Sequence, residues 1–257
     1  MPKRTHQPQD EQIREVSCEN FANFVHLSKG ISYDTMAKQI KSRERVTEHG
    51  EVFTAEREVN AMLDLVKSEC IRPDSRFLEP ACGDGNFLSA ILERKLAELR
   101  RRYKSAHRSY EIHAVEAIGS LYGVDIMKDN VEACRQRLFN IWDREYTSLC
   151  KEDCSDETRD AVRFIISRNI ICGNALTLMC VDEAGNDTSG PIVFSEWALI
   201  GTTQMQRSDY TLSDLLLYRD NTNPDGNLFA RDDDEEDTEG VFLKRYTTHY
   251  KKVHQNG

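Results

Sequence analysis

The stretch over residues 77–88 constrains the fold of this chain more than any other. It reads Phe-Leu-Glu-Pro-Ala-Cys-Gly-Asp-Gly-Asn-Phe-Leu, which is typical of a buried strand, a tight turn and the start of a helix. Gly83 and Gly85 give the turn a backbone freedom that side chains would block. Such a corner brings bare backbone close to a small ligand at the carboxyl edge of a parallel sheet. The stretch therefore predicts an α/β fold with a ligand site at this turn.

The residues around the turn indicate the charge of that ligand. A third glycine in the pattern G-x-G-x-x-G would favour a dinucleotide, with its pyrophosphate at the helix N-terminus. Leu88 occupies that third position, and Glu79 and Asp84 place carboxylates beside the turn. Because carboxylates repel phosphate, the site suits a ligand with an ammonium or sulfonium charge and ribose hydroxyls.

The core Pro-Ala-Cys-Gly-x-Gly-x-Phe-Leu resembles the cofactor motif of S-adenosylmethionine-dependent DNA methyltransferases that act on adenine amino groups. The usual form is Asp-Pro-Ala-Cys-Gly-Ser-Gly-Asn/Thr-Phe-Leu, so Glu79 replaces the aspartate and Asp84 the serine. The resemblance implies a Rossmann-like class I methyltransferase fold, with a mostly parallel sheet flanked by helices and a small helical N-terminal part. It also implies that S-adenosylmethionine contacts the residues of this loop, namely Glu79, Pro80, Ala81, Gly83, Asp84, Gly85, Asn86 and Phe87.

A second segment of the chain matches the same family. Gly50-Glu51-Val52-Phe53-Thr54-Ala55 is similar to the family motif Gly-x-Phe/Tyr-Thr-Pro, with Ala55 in place of the proline. In the family this motif lies over the methionine end of the cofactor, which implies cofactor contacts for Phe53 and Thr54. Thr54 is also expected to cap the helix that follows it.

Two further predicted strands end in candidate cofactor residues. The strand over 121–126 ends at Asp125 and Ile126, and a carboxylate at this point can accept hydrogen bonds from both ribose hydroxyls. The strand over 170–176 contains Asn174 and Ala175 where the family commonly has Gly-Asp-Ala-Leu. The resemblance implies that the Asn174 side-chain carbonyl accepts a bond from the adenine amino group and that the Ala175 backbone faces the ring.

Helices are predicted over 86–102, 109–118 and 156–168.

The catalytic loop of the family is the feature that this chain lacks. The family carries Asn/Asp-Pro-Pro-Phe/Tyr after its fourth strand, and no Pro-Pro occurs in this sequence. Glu196 and Trp197 offer a carboxylate and an aromatic ring in the nearest strand and are weak candidates for catalysis. The alternative is a hairpin, with a strand that continues through Ile200, turns at 201–203 and returns over 204–210.

Charge and composition suggest three parts of the chain. The net charge of −10 is unfavourable for holding duplex DNA, which normally draws on Lys and Arg. Part of it lies in the acidic run 232–239, and a basic cluster over 94–108 is either a solvated helix face or a DNA track. We expect a helical segment over 1–47, an S-adenosylmethionine-binding domain over 48–218 and an acidic, flexible tail over 219–257.

The remaining features exclude some classes of protein. No apolar run approaches the roughly 18 residues that span a bilayer, and the first residues lack the apolar stretch of a signal peptide, so we expect a cytoplasmic protein without a membrane partner. The eight cysteines contain no Cys-x-x-Cys pair and are expected to be reduced, mostly buried thiols rather than metal ligands.

The end of the domain resembles a smaller group of proteins within this family. Pro191–Trp197, the segment from Arg207 to Tyr210 and the acidic tail are similar to short bacterial and mobile-element proteins of restriction-modification type. This similarity implies the cofactor-binding part of an adenine-specific DNA methyltransferase, with DNA engaged through a second polypeptide that carries the catalytic loop. A non-catalytic cofactor-binding regulatory subunit, and a methyltransferase for RNA or small molecules, remain alternatives.

Overall fold

The computed structural model describes residues 54–216 and 243–256, so Phe53 and the predicted segment 1–47 lie outside the described residues. The helices are α1 (Glu56–Leu65), α2 (Lys67–Cys70), α3 (Asn86–Arg102), α4 (His107–Gly119), α5 (Lys128–Cys150) and α6 (Asp156–Asn169). The strands are β1 (Phe77–Glu79), β2 (Leu121–Asp125), β3 (Ile170–Asn174), β4 (Met179–Val181), β5 (Asp187–Pro191), β6 (Val193–Ile200), β7 (Gln204–Thr211) and β8 (Lys244–His249). Short 3₁₀ helices span Lys151–Asp153 and Tyr250–Asn256.

The first sheet has the strand order β1-β2-β3-β4-β5. Its first three strands are parallel, with Glu79 opposite Gly123 and Asp125 opposite Cys172, and its last two pairings are antiparallel. The sheet is therefore mixed, and the α/β class predicted from the sequence is confirmed. Because the parallel strands end together, the turn after β1 lies beside the turn after β2.

Helix α3 shows how local sequence sets an element of this fold. It begins immediately after Gly85, which has φ 92°, and ends at Arg102, as the sequence predicts. Leu88, Leu92 and Leu96 recur every fourth residue and are fully buried, which is the pattern of an amphipathic helix packed on a core. The arginines of its last turn complement the negative end of the helix dipole.

The two faces of the first sheet are covered by different layers. Side chains alternate between the faces along a strand, and Leu121 and Ile170 belong to the apolar cluster formed with the helices. On the opposite face, Tyr122 packs edge-on against Phe194, with ring centroids 5.3 Å apart, in a second apolar cluster. Residues that lead into and form the second sheet cover this face together with the helical residues Leu212 and Leu215, so helices form only part of the layer that was expected there.

The second sheet is antiparallel, in the order β6-β7-β8. Ile200 pairs with Gln204 across a turn at Gly201, which has φ 63°, and this confirms the hairpin predicted over 191–210. Its third strand pairs with β7, with His249 opposite Gln204.

The pairing of β8 contradicts the expectation of a tail for the residues 244–256. Tyr250 and Val253 are buried in the main core, and the Lys251 ammonium lies 2.8 Å from the Glu111 carboxylate. The acidic run suggested that everything after it stays solvated, but the apolar side chains that follow it bury enough surface to dock. The rest of the predicted tail, over 219–242, lies outside the described residues.

Among the helices described, none combines the length and the apolar composition that crossing a bilayer requires.

Candidate functional site

The turn between β1 and α3, residues 80–85, forms the centre of the candidate site. Gly83 and Gly85 have φ of 53° and 92°, a left-handed conformation that L side chains rarely adopt. A Cβ on Gly85 would lie 2.8 Å from the Cys134 sulfur on α5, so the turn packs directly on that helix. Backbone conformation therefore favours glycine at both positions, and close packing requires it at Gly85 as well.

Asp125 links the end of β2 to this turn. Its Oδ2 accepts a hydrogen bond from the Gly83 backbone N–H at 2.9 Å, and its Oδ1 accepts bonds from the Met127 N–H at 2.8 Å and the Asn130 amide at 3.3 Å. A carboxylate has about four acceptor positions, and the side chain is only half-buried. Acceptor capacity therefore remains for ligand hydroxyls at the same edge of the sheet. Ile126, which follows, is also half-buried.

Thr54 lies beside the turn, as the pairing of the two motifs predicts. The Asn86 amide donates a hydrogen bond to the Thr54 carbonyl at 3.3 Å. The expectation that Thr54 caps the next helix is wrong, because Ala55 is the N-cap of α1 and no side chain bonds to that helix end. The contact with the turn therefore depends on backbone placement rather than on a capping hydroxyl.

Arg137, on α5, is a residue of the site that the sequence reasoning missed. Its guanidinium lies 2.7 Å from the Asn86 side-chain oxygen and 3.2 Å from the Asp84 carboxylate. The charge of Asp84 is therefore balanced within the protein. A signal for this contact existed, since Arg137 lies three residues after Cys134 and so on the same side of the helix.

Glu79 supplies the remaining carboxylate at the turn. It is half-buried at the end of β1, and burial raises its pKa to about 6, opposed by a hydrogen bond from the Ala81 backbone. No ion pair reaches it from residues 54–216 or 243–256. Glu79 is therefore ionised at neutral pH without a basic partner there, a setting that attracts a cationic ligand group. Pro80 and Ala81 are exposed beside it, and Phe87 packs against the core.

Asn174 and Ala175 lie at the end of β3, where the chain turns back into β4. The Asn174 amide donates to the Asp187 carboxylate at 3.2 Å, and its oxygen accepts the Leu176 N–H at 3.0 Å. Ala175 packs against the second apolar cluster. Both polar groups of Asn174 have protein partners, so the adenine contact implied by the resemblance stays a prediction and would need that side chain to give up a partner.

Glu196 and Trp197, the weak catalytic candidates, lie at the other edge of the sheet. Glu196 is 3% exposed, is paired with Arg76 just before β1 and accepts a bond from the Tyr210 hydroxyl at 3.2 Å. The Trp197 indole donates to Asn169 just before β3, at 3.3 Å. These partners precede the strands, whereas the glycine turn follows them. The structure therefore does not bring the two side chains to the turn, and their burial excludes a substrate in their present positions.

Two thiols underlie the turn. Cys82 and Cys134 are both buried and free, and the pKa of Cys82 is raised by its hydrogen bond with Cys134 and by burial. Buried thiols whose pKa is raised are chemically inert at neutral pH. Cys82 is therefore a packing group, and the small side chain of Cys134 lets the turn approach α5.

The arrangement offers a small ligand the backbone of the turn, two carboxylates and the Thr54 segment. Among the described residues, no three side chains of His, Cys, Asp or Glu are grouped to bind an ion. Comparison of the chain with protein-family models, with curated proteins and with solved structures found no match.

Proposed function

We propose that this chain binds S-adenosylmethionine at the turn after β1 and is the cofactor-binding part of an adenine-specific DNA methyltransferase. The observation that carries the proposal is the hydrogen bond between the Gly83 N–H and Asp125, at 2.9 Å. It joins the glycine turn to the acid after β2, and the Asn86–Thr54 contact adds the third motif at the same edge. Three segments that are distant in sequence and resemble one family's cofactor motifs are therefore adjacent in space.

Each residue has a role that follows from its chemistry. Asp125 accepts the ribose hydroxyls, and Glu79, which has no described basic partner, attracts the ammonium group of the methionine part. Gly83 and Gly85 hold the turn in its left-handed conformation, and Gly85 lets the turn pack on α5. The cofactor supplies an electrophilic methyl group, which is directed to the amino nitrogen of adenine by positioning and electrostatics.

The proposal includes a finer description of the fold. The order β1-α3-α4-β2-α5-α6-β3, with all three strands parallel and the loops at their carboxyl ends, supports a Rossmann-like class I methyltransferase domain. Ligands in open α/β sheets bind at this edge.

A second polypeptide completes the enzyme in this proposal. Glu196 is buried in an ion pair at the opposite edge, and the sequence contains no Pro-Pro loop. A DNA-binding partner of restriction-modification type would supply the catalytic loop and the target recognition. The same burial also favours the second candidate, a regulatory subunit that binds the cofactor without catalysis.

Calorimetry with S-adenosylmethionine and S-adenosylhomocysteine tests the cofactor site. We expect the chain to bind, and Asp125→Ala to lower affinity by roughly ten- to a hundredfold, since a charge-assisted hydrogen bond is worth about 1.5–3 kcal/mol. Asp160→Ala is the matched control, because Asp160 pairs with Arg163 on the exposed face of α6. Equal affinity in all three proteins removes Asp125 from the site, and no binding by the unmodified chain refutes the proposal.

A labelled-methyl assay on mixed-sequence duplex DNA separates the two candidate functions. We expect no transfer by this chain alone, because effective molarity requires both reactants in one geometry. Transfer that appears on addition of a protein encoded in an adjacent reading frame with an Asn/Asp-Pro-Pro-Tyr loop supports the split enzyme. Robust transfer by the isolated chain contradicts it.

A further inference from the structure

A basic groove lies at the end of the helices remote from the glycine turn. It has a volume of about 450 Å³, and it is lined by the C-terminal turns of α3 and α5, the segment that follows each, and the start of α4. The 17 residues of α3 rise about 1.5 Å each, which places the groove roughly 25 Å from the turn. Its cationic side chains are those of Arg100, Arg101, Lys104 and Lys151.

The groove concentrates positive charge on a chain that is acidic as a whole. Four Lys and Arg side chains and no carboxylate line it, whereas the chain carries a net charge of −10. Arg100 and Arg101 are each held by a glutamate outside the lining, at 3.2 Å and 2.7 Å. In the part of the chain that the structure describes, no ion pair involves Lys104 or Lys151. A concave surface lined by one sign of charge focuses the field on an anionic ligand.

A second groove, of about 430 Å³, adjoins the first and shares His107 with it. Of its two carboxylates, Glu111 forms an ion pair with Lys251 at 2.8 Å, and Asp153 is hydrogen-bonded to the His107 ring at 2.8 Å. Arg108, which is exposed, adds a further cation to its lining. The two grooves therefore form a continuous track in which the acids are engaged and most of the cations face solvent.

Stabilisation of helix ends explains only part of this arrangement. Cations in the last turn of a helix complement its dipole, which accounts for Arg100 and Arg101. Lys104 lies beyond the end of α3 and Lys151 beyond the end of α5, so their convergence on one groove is a tertiary feature. It gives the groove a shape that a solvated helix face would lack.

We propose that this groove binds the phosphate backbone of a nucleic acid, which continues past His107 into the second groove. Guanidinium and ammonium groups are the usual partners of phosphate oxygens. Apolar side chains contribute only Ala97 and Leu149 to the lining, whereas protein partners are held by a desolvated apolar centre. Contacts to phosphate carry no base information, so the binding is independent of nucleotide sequence.

The position of the groove defines what it does. A strand held roughly 25 Å from the glycine turn is not itself presented to the cofactor, so the groove holds nucleic acid rather than a target base. The inference does not depend on cofactor binding, because no residue of the groove belongs to the turn. It also accounts for how an acidic chain engages DNA without a uniformly basic surface.

Fluorescence anisotropy with a labelled oligonucleotide tests the inference on the full chain. We expect binding at about 50 mM salt that weakens steeply toward about 200 mM. The double charge reversal Lys104→Glu with Lys151→Glu should weaken binding by at least about tenfold and reduce the salt slope by about two. Arg57→Glu with Lys67→Glu is the matched control, since both residues are exposed on α1 and α2, outside the grooves.

The outcomes distinguish the groove from general electrostatics and from an acidic protein. An equal loss in the control pair, or no binding at about 50 mM salt, overturns the inference. Tighter binding of a polyglutamate peptide than of the oligonucleotide would assign the groove to an acidic protein and also overturns it. Calorimetry with S-adenosylmethionine on the double reversal, expected to match the unmodified chain, keeps a failure here separate from a failure of the cofactor proposal.

Discussion

The two edges of the parallel strands differ in how their polar groups are satisfied. At the carboxyl edge, Glu79 and Asp125 are half-buried carboxylates beside bare backbone. At the amino edge, Glu196 and Lys95 are 3% and 0% exposed and bonded to protein groups. The Lys95 ammonium donates to the Pro73 carbonyl at 3.2 Å, to the Ser120 hydroxyl at 2.7 Å and to the Ser75 carbonyl.

This difference shows what separates a structural polar group from a functional one. Burial lowers the pKa of Lys95 to about 7 and raises that of Glu79 to about 6, so neither edge is free of desolvation. Three protein acceptors occupy the lysine, whereas the described ion pairs leave the glutamate without a cation. The carboxyl edge is therefore the one that retains capacity for a ligand.

Removal of the C-terminal strand is expected to have the largest effect. Truncation before Leu243 removes β8 and exposes the surface that Tyr250 and Val253 cover, and burial of each such side chain is worth about 1.5–3 kcal/mol. We expect the midpoint of thermal unfolding to fall by more than about ten degrees, since 1 kcal/mol moves it by about 2–4 degrees at this size. Lys252→Ala, at an exposed position of the same segment, should leave it unchanged.

An unchanged midpoint in the truncated protein would show that residues 243–257 are a dispensable tail.

Loss of the buried ion pair at the amino edge should rank second. Glu196→Ala removes the carboxylate that pairs with Arg76, which is 24% exposed, and breaking a buried pair costs about 3–5 kcal/mol. We expect a lower midpoint of urea unfolding with unchanged affinity for S-adenosylmethionine. Glu183→Ala is the control, because Glu183 is 87% exposed in its pair with Lys128. If the Glu196→Ala variant were as stable as the unmodified chain but bound the cofactor more weakly, Glu196 would belong to the cofactor site and the separation of the two edges would be wrong.

Gly85→Ala tests the carboxyl edge through its packing. The added Cβ meets the Cys134 sulfur at 2.8 Å in a backbone conformation with φ 92°, and left-handed strain alone costs about 1–3 kcal/mol. We expect lower stability and weaker cofactor binding. In the double variant with Cys134→Ala, the part of the stability loss that comes from the steric clash should be recovered, and the part that comes from backbone strain should remain. A double-mutant cycle of unfolding free energies measures the two parts. Strict additivity of the two substitutions contradicts a direct contact.

The smallest expected effect is the pH dependence of Glu79. Its pKa is about 6 in the folded chain against 4.5 as the reference value, so the folded state binds the proton more tightly. Stability is then lost as pH rises from 4.5 to about 6, and the loss persists above that range. Glu79→Gln should raise stability at pH 7.5 by about 1–2 kcal/mol and have no such effect near pH 4, while it weakens cofactor binding. A variant that is less stable at pH 7.5 contradicts this assignment.

Much of the fold follows from local sequence. The start of α3 after Gly85, the end of β2 at Asp125 and the turn at Gly201 were predicted from glycine spacing and apolar periodicity. These features are local because capping, left-handed glycine and side-chain alternation act over a few residues. Strand β8 was not predicted, because its partner β7 lies on the other side of the acidic run in the sequence.

The site shows the same division. The sequence alone determined which residues form the glycine turn and that an acid ends the next strand, since both depend on neighbouring residues. Only the tertiary structure decided that Arg137 neutralises Asp84, that Gly83 bonds to Asp125 and that Glu196 is buried at the other edge. These outcomes depend on which distant segments come into contact. Burial and charge compensation arise from such tertiary contacts, so no single segment of the sequence determines them.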